Sequence, residues 1–367
     1  MELGIAFFIL AGFVLVNCIY YVSLSRIISY KDDAGTSKKE PVSIIVCSKN
    51  EQDNLLALVP VLQEQAYPTF EIILINDAST DDTRDIIENF VAQDNRIKMV
   101  DVVNNENFWG NKKYALTLGI KKASYSKHVF IDADCRPLSK KWLGLMASKM
   151  TGDKTIVLGY SGYEHVKGSF LNAIIRYETV LTAFQYLSYA IKGNPYMGVG
   201  RNLAYTNEQF YAVNGFINHM KIIGGDDDLF VNEAATSRNT AIQIEPDAFT
   251  ISKPKTTWKE WIKQKQRHVN TAKYYKTGQK LLLGLFYLSQ LGFVIAAILG
   301  LIIAPHWEFI LALILVRYIV VWAVMGLAAS RFRESELIPY LPVLELSIIF
   351  TQCYLFFNSG SKTKSWK

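Results

Sequence analysis

The chain has 367 residues, half of them hydrophobic, and its 39 Lys and Arg against 33 Asp and Glu give a formal net charge of +6. That length holds one large or two modest domains with ample material for a core. The basic residues are dispersed and no recognition motif accompanies them, so the reading is no nucleic acid, with attraction to acidic lipid headgroups as the simpler account of the charge.

Residues 3–25 carry no charged side chain, a run long enough to cross the roughly 30 Å hydrocarbon layer as a helix. It lacks a basic leader, and no small-residue cleavage pattern precedes Arg26, so it reads as a retained anchor rather than a secretory signal. Arg26, Lys31, Lys38 and Lys39 follow, and the positive-inside rule places them, with the polar middle of the chain, in the cytosol. A bacterial inner membrane is the expected location. The segment "DDAGTSKKE" reads as a linker.

From Pro41 short β-rich runs alternate with helical patterns: strand "VSIIVC", helix "EQDNLLALVPVLQEQ", strand "EIILIND", helix "TDDTRDIIENFVAQ", strand "IKMVDVV", helix "NKKYALTLGIKKA", strand "HVFIDAD". This grammar predicts a parallel sheet covered by helices on both faces, with ligands beyond the carboxyl ends of the strands. Those ends present Asn50, Glu51, Asp77, Asp132 and Asp134 to one rim, whereas Asp81 reads as a helix cap. Alternation along an extended strand points Asp132 and Asp134 the same way, and their repulsion calls for a hard divalent cation, Mg²⁺ or Mn²⁺, shared with substrate phosphates. No glycine-rich Walker loop or GxGxxG fingerprint is present, which argues against an ATPase or a dehydrogenase.

Further along, residues 170–191 form an amphipathic stretch that reads as a core or membrane-surface helix. "YMGVGRNLAYTNEQFYAVNGF" suits a loop wrapped around a ligand, or a plain connection punctuated by glycine. In "GGDDDLF", Asp226, Asp227 and Asp228 form either a solvated helix start or a set of carboxylates that raise one another's pKa towards that of a neutral-pH base. "WKEWIKQKQRH" reads as a basic interfacial helix.

Three further apolar runs follow, over 281–304, over 307–329 with Glu308 and Arg317, and over 338–357 with Pro339, Pro342 and Glu345. Arg317 inside a membrane needs a partner, and Glu345 is the expected one. The last run is expected to be re-entrant or surface-lying, because a third crossing would leave Lys362, Lys364 and Lys367 outside; a cytosolic C-terminus follows. Four scattered cysteines suggest neither a disulfide framework nor a zinc site.

Taken in order over roughly residues 41–268, these motifs resemble the family 2 inverting glycosyltransferases with a GT-A catalytic domain, in membrane-anchored form. The resemblance implies an α/β fold with a doubly wound, mainly parallel sheet. It divides the chain into an anchor (1–28), a linker (29–40), a cytosolic GT-A domain with interfacial helices (41–278) and a membrane region (279–367). That region holds two transmembrane helices and a third transmembrane, re-entrant or interfacial segment. It implies a nucleotide-sugar donor, a UDP-sugar favoured, bound by Ser48, Asn50, Glu51, Asp77, Lys112, Asp132, Asp134, Gln264 and Arg267. Asp77 would take the nucleoside base, Asp132 the ribose or sugar, and Asp134 the metal on the diphosphate. Asn111 interrupts the Gly-Lys pattern before Lys112. Asp226 falls in the position of the catalytic base with Asp227 as rival, since Gly225 replaces the usual Glu. Gln264 and Arg267 match Gln-x-x-Arg-Trp, with His268 where Trp is expected; Arg201, Asn202 and His268 form the acceptor region. The implied reaction is inverting transfer to a hydroxyl of a lipid-linked or envelope glycan acceptor at the lipid bilayer. The alternatives are a catalytically decayed membrane scaffold that keeps the nucleotide-sugar fold, and a receiver-like phosphoacceptor, which would be a much shorter unit.

Overall fold

The computed structural model describes residues 4–31, 39–103 and 112–358. Most of the linker, Asn111 and the C-terminal lysines lie outside them. The chain opens with helices α1 (Ile5–Leu24) and α2 (Arg26–Ser29) and then enters the α/β region. There β1 (Val42–Ser48), α3 (Gln52–Gln63), β2 (Phe70–Asp77), α4 (Thr83–Gln93), β3 (Ile97–Val102), α5 (Lys112–Lys122) and β4 (Lys127–Phe130) follow the expected alternation. Next come β5 (Cys135–Pro137), α6 (Trp142–Ser148), β6 (Ile156–Gly159), β7 (Ser161–Tyr163), α7 (Phe170–Ile191), β8 (Leu203–Thr206), α8 (Asn207–Ala212), α9 (Asp228–Ala234), β9 (Thr240–Gln243) and β10 (Thr250–Ser252). The chain ends with α10 (Trp258–Ala272), α11 (Thr277–Ile303), α12 (Trp307–Arg331) and α13 (Leu341–Phe357).

The central sheet has the order β3-β2-β1-β4-β8-β6-β9. It is parallel except at β8, which runs antiparallel to both β4 and β6. Successive side chains of a strand face opposite ways, so Ile44 and Val46 join the core under α3 and α6, while Ile45 and Cys47 join the one under α5 and α7. Burial on both faces accounts for the unbroken apolar runs of β1 and β2. The strand order reverses between β1 and β4, and at such a switch point the carboxyl ends of the strands diverge and leave a crevice. A small second sheet has the order β5-β10-β7.

Four runs are long and apolar enough to cross a membrane: Ile5–Ser29, Thr277–Ile303, Trp307–Arg331 and Ser335–Phe357. The first three pack on one another. Phe7 of α1 meets Phe309 of α12 edge to face, and the Tyr20 hydroxyl donates to the Leu282 carbonyl (3.0 Å). The expected Arg317–Glu345 pair is present and bidentate, at 2.6 Å on both arms, with Arg317 also donating to Asn17 Oδ1.

The fourth run behaves differently. At its start, Glu334 and Glu336 pair with Arg176 of α7; just after it, Gln266 of α10 donates to the Asn358 carbonyl (3.2 Å). The chain on both sides of α13 is thus tied to the α/β unit, while Glu345 within it holds Arg317 of α12. Ser188 of α7 donates to the Leu24 carbonyl (2.7 Å), which joins the anchor to the same unit.

Candidate active site

The turns after β1 and β2 lace together. Asn50, in the left-handed region (φ 53°), accepts from the Thr80 backbone N–H (2.8 Å), and the Glu51 N–H donates to Thr83 Oγ1 (2.8 Å). Asp81 accepts from the Gln52 and Thr83 N–H groups, but the cap position of α4 is Asp82, so Asp81 stands one place ahead of the capping position expected of it. Asp77 ends β2, buried, with Lys49 at 3.8 Å. Ser48 is a correction to the donor set: its buried hydroxyl donates to the Ile75 carbonyl across the sheet (2.6 Å) and ties β1 to β2.

Asp132 and Asp134 need a second correction. β4 ends at Phe130, so both lie beyond the strand, in a turn closed by the Cys135 N–H on the Asp132 carbonyl (3.0 Å). Strand alternation therefore does not aim them; the turn does. It brings one ligand atom each from Asp132, Asp134 and Cys135 within 4.8 Å of one another. The Cys135 sulfur also lies 2.8 Å from Ser252 Oγ, and burial pushes its thiol well above its ordinary value. Two carboxylates beside a protonated thiol make an oxygen site, which suits a hard divalent ion.

Lys112, at the start of α5, joins the two acidic motifs. Its Nζ lies 2.7 Å from Asp132 and 2.9 Å from Asp226. Burial disfavours the charge on Lys112, yet the two carboxylates override it and hold the pKa well above the usual lysine range. Burial acts upward on Asp226, but the Lys112 charge and hydrogen bond bring its carboxyl below the ordinary value. Asp227 goes the other way: burial, then Asp226 and Asp228, raise it to about 7, while it accepts from the Gly200 N–H (2.8 Å). Asp228 accepts from Thr271 of α10 (2.5 Å) and from the Tyr275 hydroxyl (2.9 Å), tying the acidic motif to the helix before the membrane.

Gly225 stands where a Glu was expected, for a local reason. Its φ is +80°, and an added Cβ would meet Leu229 Cδ1 at 2.5 Å. Lys113 was not singled out from sequence. It donates to the His219 and Ile222 carbonyls (2.6 and 3.0 Å), so it holds the loop that leads into the acidic motif.

On the far wall, Arg201 lies over the Tyr163 ring at 4.5 Å, and Gln264 of α10 donates to the Tyr163 hydroxyl (3.4 Å). Arg267 is near enough for the Asp226 charge to act on it. His268 lines the adjoining cavity. Asn202 does not join them: fully buried, it donates to Tyr160 and Ala248 carbonyls and accepts from Trp142 Nε1, so its amide is spent in the core.

With this geometry in place, the comparisons with known proteins agree. Residues 43–213 match the family described as Glycosyl transferase family 2. Over 132 residues, 36% of this chain and 42% of the relative, the chain is 30% identical to Glycosyltransferase GlyG of Streptococcus pneumoniae. It is 32% identical over 125 residues to the poly-beta-1,6-N-acetyl-D-glucosamine synthase of Staphylococcus epidermidis, covering 33% of this chain and 29% of that one. The chain thus spans less than half the length of either relative. Among solved structures, the mannosyltransferase PcManGT from Pyrobaculum calidifontis, in complex with GDP-Man and Mn²⁺, superposes with a TM-score of 0.58 at 16% identity, covering 92% of this chain and 98% of that one, a likeness of fold. Residues 43–213 are thus similar to the family 2 glycosyl transferases, and apolar helices long enough to cross a membrane flank the matched region.

Proposed function

We propose that the protein moves a sugar from a nucleoside diphosphate sugar, a UDP-sugar first, to a hydroxyl of a lipid-linked or envelope glycan acceptor, with inversion, on the cytosolic face of a membrane. The observation that carries this reading is the Lys112 bridge: one lysine within 2.9 Å of both the Asp-x-Asp turn and the acidic motif. Leaving-group chemistry and base chemistry thereby meet at one point. Asp77 and the laced turns after β1 and β2 would take the nucleoside, and Asp132 the ribose or sugar. Asp134, with Asp132 in reach, would hold a divalent ion, which supplies charge stabilisation for the departing diphosphate.

In the transfer, the acceptor oxygen forms a bond to the anomeric carbon as the bond from that carbon to the phosphate oxygen breaks. The electron pair leaves with the nucleoside diphosphate, where Lys112 and Arg267 offset the charge. The hydroxyl proton passes to Asp226. A diphosphate competes for Lys112, and loosening that grip makes Asp226 a better proton acceptor; Asp227 is its rival at the same cleft.

The test is nucleotide release by the purified protein from a panel of UDP- and GDP-sugars with Mg²⁺ or Mn²⁺, alongside thermal protection by each nucleotide. One nucleotide should protect, and its sugar should turn over only with metal. Protection without turnover under any acceptor would favour the decayed scaffold and end this proposal. For orientation, a C-terminal reporter active only on the outer side would contradict the cytosolic assignment.

A further inference from the structure

A cavity of about 370 Å³ adjoins the acids, within the range of about 300–1,000 Å³ usual for small-molecule sites. Its walls change character along its course. At one end stand Asp132, Asp227 and Asp228, so it is continuous with the Lys112 cleft. At the other stand Leu283 and Phe286 of α11 with Ile348 and Leu355 of α13. The ion pair between Glu178 of α7 and Lys265 of α10 also lines the cavity. We infer that this cavity is the acceptor site and that it selects an amphiphile, with a neutral hydroxyl headgroup at Asp227 and a hydrocarbon tail between α7, α11 and α13. This rests on the sugar-transfer reading above and narrows its acceptor.

Two observations set the chemistry. The apolar end is built from elements whose composition suits a bilayer, and α13, with the chain on both sides of it tied to the α/β unit, serves as its wall. Leu283, Phe286, Ile348 and Leu355 offer no hydrogen bond to a glycan hydroxyl, and although Thr351 and Gln352 of α13 also line the cavity, those four side chains give a hydrocarbon tail its apolar track. The head end carries more acid than base: Asp132, Asp227, Asp228 and Glu178 against Arg201 and Lys265. Carboxyl groups outnumber cations there, and a hydroxyl can hydrogen-bond to a carboxyl in either protonation state, so the head end suits an uncharged alcohol rather than a lipid phosphate, with the transferred proton passing to Asp226 in the adjoining cleft.

The experiment uses the full chain in lipid nanodiscs with the donor that passes the panel above, and n-alkyl glucosides of four, eight and twelve carbons as acceptors. Each fully buried methylene is worth about fourfold in affinity, so KM should fall at least tenfold from the shortest to the longest. Membrane partitioning alone would also lower the apparent KM, so Leu283→Trp and Leu355→Trp, which fill the tail end, provide the control. Both should raise KM for the twelve-carbon acceptor about tenfold or more and leave donor hydrolysis and nucleotide protection unchanged. Transfer independent of chain length, indifference to both tryptophans, preference for an alkyl phosphate, or extension of a soluble oligosaccharide in place of the glucosides would each overturn the inference while sugar transfer stands. Absence of donor turnover altogether would overturn both.

Discussion

Two buried or half-buried cations organise this molecule, and they are held in opposite ways. Lys112, its side chain 15% exposed, divides itself between Asp132 and Asp226, which come from different motifs and both face a cleft. Arg317, 1% exposed, makes two bonds to the single carboxylate of Glu345 and two more to Asn17, and Tyr21 completes the carboxylate. A divided cation beside an opening can exchange partners when a more highly charged ligand arrives. A saturated one in a dry bundle has nothing to exchange with. The first arrangement suits chemistry and the second suits a strut between α1, α12 and α13.

The largest effect should come from breaking the divided pair. Asp226→Asn keeps the shape of the side chain and leaves Lys112 with Asp132, so nucleotide protection should persist while transfer falls about 10²- to 10⁴-fold, the usual worth of a positioned base. Asp227→Asn separates the two acids by pH. Burial, Asp226 and Asp228 raise Asp227 from 3.8 to about 7. A raised folded-state value stabilises fully below the ordinary carboxylate pKa, and that stabilisation is lost as pH rises through about 7. The Asn variant should therefore melt higher than the parent at pH 8 and lose that advantage near pH 4. If Asp227→Asn abolishes transfer and Asp226→Asn retains it, the base is Asp227.

How much of this the sequence disclosed depends on how local each interaction is. β1 to β4 were readable because an apolar run buried on both faces and a polar turn are both written within a dozen residues. Asp77 sits at its strand end as expected. Asp132 and Asp134 were found for a wrong reason, since a turn rather than a strand aims them. Ser48 and Asn202 look like ligands in one dimension, and only cross-sheet and cross-core hydrogen bonds show them occupied. Lys113 gave no signal, because its role lies in two carbonyls more than a hundred residues away. Arg317 and Glu345 were legible despite their separation, since a charge in an apolar run demands a partner and few were on offer.

Breaking the saturated pair should reverse the pattern of the first experiment. Glu345→Gln leaves the buried Arg317 charge uncompensated and should cost about 3–5 kcal/mol of stability. The turnover of the remaining folded protein should change little, because neither residue lines the cavity or the cleft. Replacing both partners, Arg317→Met with Glu345→Leu, should recover most of the loss, since an apolar pair of similar volume needs no compensation. A Glu345→Gln variant of undiminished thermal stability would show that the pair is no strut.

The smallest effect concerns α10, which joins the two regions: Lys265 pairs with α7, Thr271 reaches Asp228 and Gln266 holds the end of α13. Its first turn is secured by Thr257 as N-cap, whose Oγ1 accepts from the Glu260 N–H (3.3 Å) and donates to the Glu260 carboxylate (2.9 Å). Thr257→Ala removes both bonds and should cost about 1 kcal/mol, with fraying confined to the first turn. Gln264 and Arg267 lie one to two turns further on, so they should be loosened only slightly. Acceptor KM should rise by less than tenfold, nucleotide protection should hold, and Thr257→Ser should restore the parent values. If Thr257→Ala instead lowers transfer as far as Asp226→Asn does, α10 positions the reacting groups directly, and the division between a chemical cluster and a structural one fails at the helix that joins them.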